Sequence, residues 1–174
     1  PKVGDELKTS ALQAILIALG LVLIYITFRF QWRQGIAAII TLLHDVMVVV
    51  GIFSIFDKEF TLPVIAALLT VVGYSLNDTI VIFDRIRENM SKFRKRELLP
   101  LINQSVTETL SRTLLTSGTT LMVVLALVFL GGEIIHDFAF ALLVGVLIGT
   151  YSSIYVASPT VLWLTKIAPP KTSD

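Results

Sequence analysis

An aspartate inside an apolar stretch is the residue of this sequence with the clearest capacity for chemistry. Asp78 lies in the run 62–83, in which Tyr74, Ser75 and Asn77 are also polar. Roughly 20 mostly apolar residues suffice to cross a bilayer core. A carboxyl group at that depth is costly, so it is rare unless it faces the inside of a helix bundle and has a partner there. We therefore expect Asp78 to point into a bundle, with the three polar neighbours as its support.

The candidate partner of Asp78 is Arg112, which begins a later apolar run and is followed one turn on by Thr116. The two runs meet the same predicted membrane boundary, so the acid and the arginine are expected at similar depth. Because a guanidinium stays charged in apolar surroundings, it is a natural counter-ion for an acid. The alternative is that Arg112 extends to lipid phosphate at the interface.

A second polar pair, His44 and Asp45, falls near the middle of another apolar run, 35–56. Adjacent residues on a helix point about 100° apart, so the two are poorly placed to coordinate one ion. Neither has a ligand-spaced partner within its own run. We expect a hydrogen-bonded pair that fixes helix packing, and an ion-binding role is the alternative.

The composition places these polar groups in a membrane protein. Of 174 residues, 55% are hydrophobic and 16% are charged, against about a quarter charged in an ordinary soluble domain. The absence of cysteine excludes disulfides and thiol metal sites. No phosphate-binding glycine loop, HExxH or GxSxG motif is present, so we predict neither an enzyme nor a bound cofactor or metal. Two intramembrane acids raise an aspartyl protease as an alternative, but the YD and GxGD motifs of those enzymes are absent.

The apolar runs predict an all-α polytopic membrane protein with five transmembrane helices. The predicted spans are 10–28, 35–56, 62–83, 112–130 and 137–164, within a bundle covering 10–166. The remaining segments are a polar tether at 1–9, a cytoplasmic amphipathic segment at 84–111 and a tail at 167–174.

Small residues recur at intervals of four in the last predicted span, at Gly145, Gly149 and Ser153. Such a face allows close helix contact in membranes. The basic residues predict the orientation, because eleven flank the spans on one side and three on the other. Since basic loops stay in the cytoplasm, the N-terminal end is expected outside and the C-terminal end inside.

Several motifs carry a family resemblance. The segment GYSLND at 73–78, followed by FDRIREN at 83–89, resembles a signature helix of the SecD/SecF family of protein-export membrane proteins, in the RND superfamily. Further matching segments are FRFQWR at 28–33, HDV at 44–46, RTLLTSGTT at 112–120 and SSIYVA at 152–157. Together they cover nearly the whole chain in the family's order.

The resemblance implies a six-helix half of an RND bundle, here without its first helix and periplasmic domain. It implies a bacterial inner-membrane subunit that works with SecD and the SecYEG channel and uses the proton-motive force in late steps of preprotein translocation. The acid and arginine implicated in proton passage correspond to Asp78 and Arg112. Members of the SecD branch have their acid one position earlier, at Asn77, so the match favours the SecF branch.

Two other functions are compatible with the same motifs. One is a non-conducting assembly subunit of the translocon, in which the acid and the arginine only hold helices together. The other is half of a small-molecule or lipid exporter of the RND superfamily. Lipid is expected around the bundle in every case, and nothing in the sequence indicates nucleic-acid binding.

Overall fold

The computed structural model describes residues 2–29, 31–93 and 97–167, which form helices joined by short turns. The helices are α1 (Lys2–Arg29), α2 (Trp32–Ile55), α3 (Leu62–Lys92), α4 (Leu98–Leu130), α5 (Glu133–Ser152) and α6 (Ser158–Ile167). One turn of π-helix, Ser153–Ala157, joins α5 to α6. The predicted tail, 167–174, lies outside the described residues except for its first residue.

Within the described residues, four helical segments are long and apolar enough to cross a membrane. They are α2, α3, α4 and the continuous helix Glu133–Ile167, which consists of α5, the π-turn and α6. The first predicted span corresponds to a shorter apolar run, Leu16–Ile26, within α1. The predicted all-α membrane architecture is therefore confirmed, and the helix count agrees with five spans when α1 is included.

Helices continue past the predicted membrane boundaries. Residues 2–9, predicted as a tether, form the first turns of α1. The segment 84–111 is not a separate surface helix, because α3 continues to Lys92 and α4 begins at Leu98. Charged residues mark the membrane edge in the sequence without ending a helix, since Arg, Glu and Lys are good helix formers.

The contact between α3 and α5 forms the centre of the bundle, with α2 and α4 on either side. A Cβ atom at Gly145 would overlap the side chain of Val71, and one at Gly149 would lie 3.1 Å from Ser75 Cβ. Ser153 is fully buried. The face of small residues in α5 therefore packs on α3, where two helix backbones approach closely.

Two apolar clusters hold the bundle, and a polar layer separates them along α2. Leu42 belongs to the cluster that includes Phe83 of α3. Val49 belongs to the cluster that includes Phe53. Asp45 lies one turn from each, between Leu42 and Val49, so the second polar pair of the sequence sits where the two clusters meet.

The π-turn between α5 and α6 comes directly before Pro159. Proline has no backbone N–H and crowds the preceding turn, and a π-turn is one way for a helix to continue past such a site. Ser158 Oγ donates to the Ser153 carbonyl oxygen at 3.3 Å, which satisfies a backbone acceptor in this turn. The last predicted span, 137–164, therefore contains a turn of π-helix that begins immediately after Ser152.

Candidate functional site

The structure places Asp78 on the buried side of α3, with 3% of the residue exposed. Ser75 and Ile82, one turn away on either side, also point into the bundle. Ser117 of α4 lies beside the carboxyl group. The carboxyl oxygen Oδ2 is buried and has no hydrogen-bond partner among the described residues. This oxygen therefore has unused capacity as an acceptor.

Arg112 does not form a direct ion pair with Asp78. In the described part of the chain no ion pair within 4.0 Å joins them, although the guanidinium is near enough to act electrostatically on the carboxyl group. Arg112 is exposed, whereas Ser117 is buried. Five residues along a helix correspond to a rotation of about 140°. The side of α4 that meets Asp78 is therefore not the side that carries Arg112.

A cleft of about 310 Å³ lies between α3 and α4 at the predicted cytoplasmic end. Its lining residues are Val81, Asp84, Arg85, Glu88, Glu108, Thr109 and Arg112. Val81 follows Asp78 by three residues, which is less than one helical turn. The cleft therefore comes within one helical turn of Asp78, which is not itself among the lining residues.

Two of the residues predicted to support Asp78 bond to other groups. The Tyr74 hydroxyl donates to Thr120 Oγ1 at 3.4 Å. The Thr116 hydroxyl donates to the Arg112 carbonyl oxygen at 2.6 Å, within its own helix. Both residues lie near the acid and the arginine in sequence, but neither makes a hydrogen bond to Asp78.

The other two predicted supporting residues, Ser75 and Asn77, point in different directions from α3. Asn77 is exposed on the outside of the bundle. Ser75 is fully buried and donates to Asp45 of α2 instead of Asp78. Both residues lie close to Asp78 in sequence, but Ser75 bonds Asp45 and Asn77 faces the outside of the bundle.

Asp45 forms a second polar centre where α2, α3 and α5 meet. Its Oδ2 accepts hydrogen bonds from Ser75 Oγ at 2.5 Å and from Ser152 Oγ at 2.8 Å. Its Oδ1 lies 3.0 Å from Nδ1 of His44. His44 and Asp45 are thus bonded to each other, and the carboxyl group also joins two further helices. In the part of the chain that the structure describes, no group of three His, Cys, Asp or Glu residues could hold a metal ion.

Two hydroxyl pairs that the sequence analysis missed join α5 to the helices beside it. Thr79 Oγ1 of α3 lies 3.3 Å from Ser153 Oγ, and Ser117 Oγ of α4 lies 2.7 Å from Thr150 Oγ1. The signal available in the sequence was the presence of hydroxyl residues within apolar spans. Hydroxyls can bond across helices in a membrane, but they can equally bond their own backbone, so the pattern does not identify the partner.

Charged groups beyond residue 83 connect the helix ends. Arg29 of α1 pairs with Asp84 of α3 at 3.1 Å. Arg85 pairs with Glu108 of α4 at 2.5 Å, and Asn89 Nδ2 donates to the same carboxylate at 3.0 Å. The first contact joins α1 to α3, and the two contacts of Glu108 join α3 to α4 at the mouth of the cleft, outside the predicted spans.

Comparison with known proteins gives the family of the chain. Residues 1–167 match the family described as "Protein export membrane protein SecD/SecF, C-terminal". The chain belongs to the SecD/SecF family. The predicted resemblance is therefore confirmed over nearly the whole length, and the motifs around Asp78 and Arg112 are part of a family match.

Relatives in the SecD/SecF family are identical to this chain at about half of the aligned positions. The protein translocase subunit SecF of Vibrio alginolyticus is 56% identical over 164 residues, which cover 94% of this chain and 52% of that protein. The subunit SecDF of Thermus thermophilus is 52% identical over 162 residues, covering 93% of this chain and 22% of that protein. The chain thus spans about half the length of the SecF relative.

The fold of a solved SecD/SecF protein also matches. A crystal structure of SecDF from Thermus thermophilus, described as a translocon-associated membrane protein, superposes with a TM-score of 0.92 at 51% sequence identity. The match covers 95% of this chain and 23% of that chain. The helix arrangement described above is therefore that of part of the SecDF membrane region.

Proposed function

We propose that this chain forms the proton-conducting membrane region of a SecF-type subunit. Together with SecD it uses the proton-motive force to promote late steps of preprotein translocation through SecYEG. Asp78 is the group that takes up and releases the proton, and Arg112 supplies positive charge beside the path. No enzymatic reaction is part of this function.

The observation that carries the proposal is the state of the Asp78 carboxyl group. It lies inside a span, is 3% exposed and has one buried oxygen without a hydrogen-bond partner in the described chain. An acid that served only to hold helices together would be expected to use both oxygens, because an unpaired buried acceptor is costly. Intramembrane acids that face a bundle interior characteristically take part in proton relays. The family relationship to protein translocase subunits supports the same assignment.

The assignment of SecD as partner is supported by polar groups on the outside of α3 and α4. Asn77 and Gly73 are exposed on α3, and nothing lies within 4 Å of a Cβ built at Gly73. Arg112 is exposed on α4. An amide or a guanidinium directed at lipid tails is unfavourable. We propose that SecD covers this face in the assembled translocase. The SecDF relative carries both names in one translocase subunit.

The proposed orientation in the bacterial inner membrane places the cleft at the cytoplasmic side. The ion pairs Arg29–Asp84 and Arg85–Glu108 lie at the same end of the bundle as the cleft. Basic residues are concentrated at this end, and such loops remain cytoplasmic. Protons driven inward would reach Asp78 from the opposite end and leave by the cleft beside Arg112.

The test is proton flux through the full-length complex with SecD in proteoliposomes. Asp78→Asn preserves the shape of the side chain and removes the titratable group. Proton flux through the complex, and export that depends on the proton-motive force, should therefore be lost. Assembly with SecD and translocation driven by ATP alone should remain. Asp57→Asn is the control, because it removes an exposed acid that lies outside the predicted spans, does not line the cleft and has no ion pair among the described residues. Full flux in Asp78→Asn would refute the proposal.

A second variant separates proton transfer from assembly. Asp78→Leu combined with Arg112→Met removes the buried acid together with the exposed arginine beside the proposed path, and at the buried position of Asp78 an apolar residue avoids the cost of burying a polar group. The proposal expects this double variant to fold and bind SecD yet to fail in export that depends on the proton-motive force. Full, uncoupler-sensitive export would instead support the non-conducting assembly function.

A further inference from the structure

Both oxygens of the Asp45 carboxyl group have polar partners. Ser75 and Ser152 donate to Oδ2 at 2.5 and 2.8 Å, and His44 Nδ1 lies 3.0 Å from Oδ1. Asp45 is 1% exposed and both serines are 0% exposed. The carboxyl group is therefore held in place by side chains of α2, α3 and α5.

Asp45 and Asp78 are both buried in the bundle, but their carboxyl oxygens differ in hydrogen bonding. Asp78 has a buried oxygen without a partner among the described residues, whereas both oxygens of Asp45 have polar partners. Hydrogen-bonding contacts at both oxygens hold a carboxyl group in one orientation, whereas an oxygen without a partner keeps unused capacity as an acceptor. The sequence presents both as lone aspartates within apolar runs, and only their surroundings distinguish them.

We propose that Asp45 is a positioning residue for Asp78: it anchors α3 to α2 and α5 through Ser75 and Ser152, and so sets the direction in which Asp78 points. This inference rests on the proposed proton transfer at Asp78. It assigns Asp45 no proton of its own to transfer.

The anchor acts through the turn of α3 that carries Asp78. Ser75 precedes Asp78 by three residues and is held by Asp45. Thr79 follows Asp78 directly and lies 3.3 Å from Ser153 of the π-turn. Two contacts on either side of one residue fix the rotation of a helix about its axis. With that rotation fixed, Asp78 faces Ser117 of α4.

The hydrogen bonds from Ser75 and Ser152 to Asp45 depend on the close packing of α5 against α3. A Cβ at Gly149 would lie 3.1 Å from Ser75 Cβ, so α5 reaches α3 where the glycine has no side chain. Ser152, one turn further along α5, then reaches Oδ2 of Asp45. The glycine therefore allows the serines of two helices to meet one carboxylate.

His44 supplies the ionisable group that faces Asp45. From α3 and α5 the groups that bond to Asp45 are serine hydroxyls. No Lys or Arg lies within 4.0 Å of the carboxylate in the described chain. The His44 side chain is 35% exposed. In this arrangement the imidazole orients the carboxylate.

The experiment compares Ser75→Ala and Asp45→Asn with Asp78→Asn in the full-length complex with SecD. Proton flux per assembled complex and its pH profile are measured in proteoliposomes. Thr41→Val is the matched control, because Thr41 lies one turn from Asp45, is 0% exposed and donates only to the Ala37 carbonyl oxygen of its own helix. Protein-free liposomes define the zero of the flux, and an uncoupler defines complete collapse of the proton gradient.

The variants are expected to reduce proton flux to different extents. Ser75→Ala removes one hydrogen bond to a charged group, so flux per complex should fall about tenfold and its pH profile should shift. Asp45→Asn should also leave measurable flux with an altered pH profile. Asp78→Asn should leave none, and Thr41→Val should match the wild type.

Two results would overturn the inference while leaving the proposed function intact. Ser75→Ala with the flux and pH profile of Thr41→Val would show that Asp45 contributes only to folding. Complete loss of flux in Asp45→Asn, in a complex that assembles normally, would show that Asp45 carries protons itself. Wild-type flux in Asp78→Asn would instead refute the proposed function, and the positioning role with it.

Discussion

Gly145 of α5 lies directly against the side chain of Val71 on α3, with no room for a Cβ atom between them. Both residues are in the buried centre of the bundle. This contact, together with the close approach of Gly149 to Ser75, sets the distance between α3 and α5. Asp78 lies on α3, and α5 carries Ser152, which bonds Asp45. The candidate site therefore depends on residues that have no polar atoms in their side chains.

Gly145→Ala should destabilise the protein. The added methyl group overlaps Val71, and overpacking of this kind costs about 1–3 kcal/mol of unfolding free energy. Gly51→Ala is the control, because nothing lies within 4 Å of a Cβ at Gly51, and alanine favours a helix over glycine by about 0.5–1 kcal/mol. Thermal unfolding of the full-length protein in detergent measures both. Equal unfolding midpoints would contradict the close contact.

The hydroxyl pair between α4 and α5 should couple the two helices energetically. Ser117 and Thr150 lie 2.7 Å apart, and such a bond contributes about 0.5–1.5 kcal/mol. A double-mutant cycle of Ser117→Ala and Thr150→Val, measured by detergent unfolding, should give a coupling energy in that range. Thr119→Val paired with Thr150→Val should give none, since Thr119 is exposed and bonds its own helix. Independent effects of Ser117 and Thr150 would show that the bond does not form.

Glu108 should make stability depend on acid pH. Hydrogen bonds from Asn89, Gln104 and Arg85 lower the pKa of Glu108 from 4.5 to about 2. A carboxylate whose pKa is lower in the folded than in the unfolded state stabilises the fold above its unfolded pKa. That contribution is therefore complete above pH 4.5 and is lost as the pH falls toward about 2.

Glu108→Gln removes this pH dependence and is the variant that tests it. The difference in unfolding midpoint between wild type and Glu108→Gln should be largest at neutral pH and should shrink on acidification below about pH 4.5. Glu97→Gln is the control, because Glu97 has no ion pair among the described residues. A constant difference at every pH would contradict the assigned pKa of Glu108.

The orientation predicts which side of the membrane each helix end faces. Glu133→Cys, at the start of α5, should react with an impermeant maleimide added from the periplasmic side. Ser91→Cys, near the end of α3, should react only after the membrane is permeabilised. Both positions are exposed, so access and not burial decides the outcome. Labelling of Ser91→Cys from outside would reverse the orientation and the assignment of the cleft.

The sequence by itself determined the class of protein and the helices. Long apolar runs need internal backbone hydrogen bonding in a membrane, which leaves α-helices as the simplest solution. The same reasoning predicted burial of Asp78, since a carboxyl group is excluded from lipid. It also predicted the packed face of Gly145 and Gly149, because a spacing of four residues repeats on one side of a helix.

The tertiary structure alone decided which groups meet. Ser75 precedes Asp78 by three residues but bonds Asp45 of α2. The group of α4 that lies beside Asp78 is Ser117, and not the candidate partner Arg112. Helical periodicity determines which residues of one helix share a face. It does not determine which helix covers that face or how far each helix is rotated about its axis. Those two quantities follow from the packing of several helices at once, and they separate an acid with a free oxygen from an acid whose oxygens are occupied.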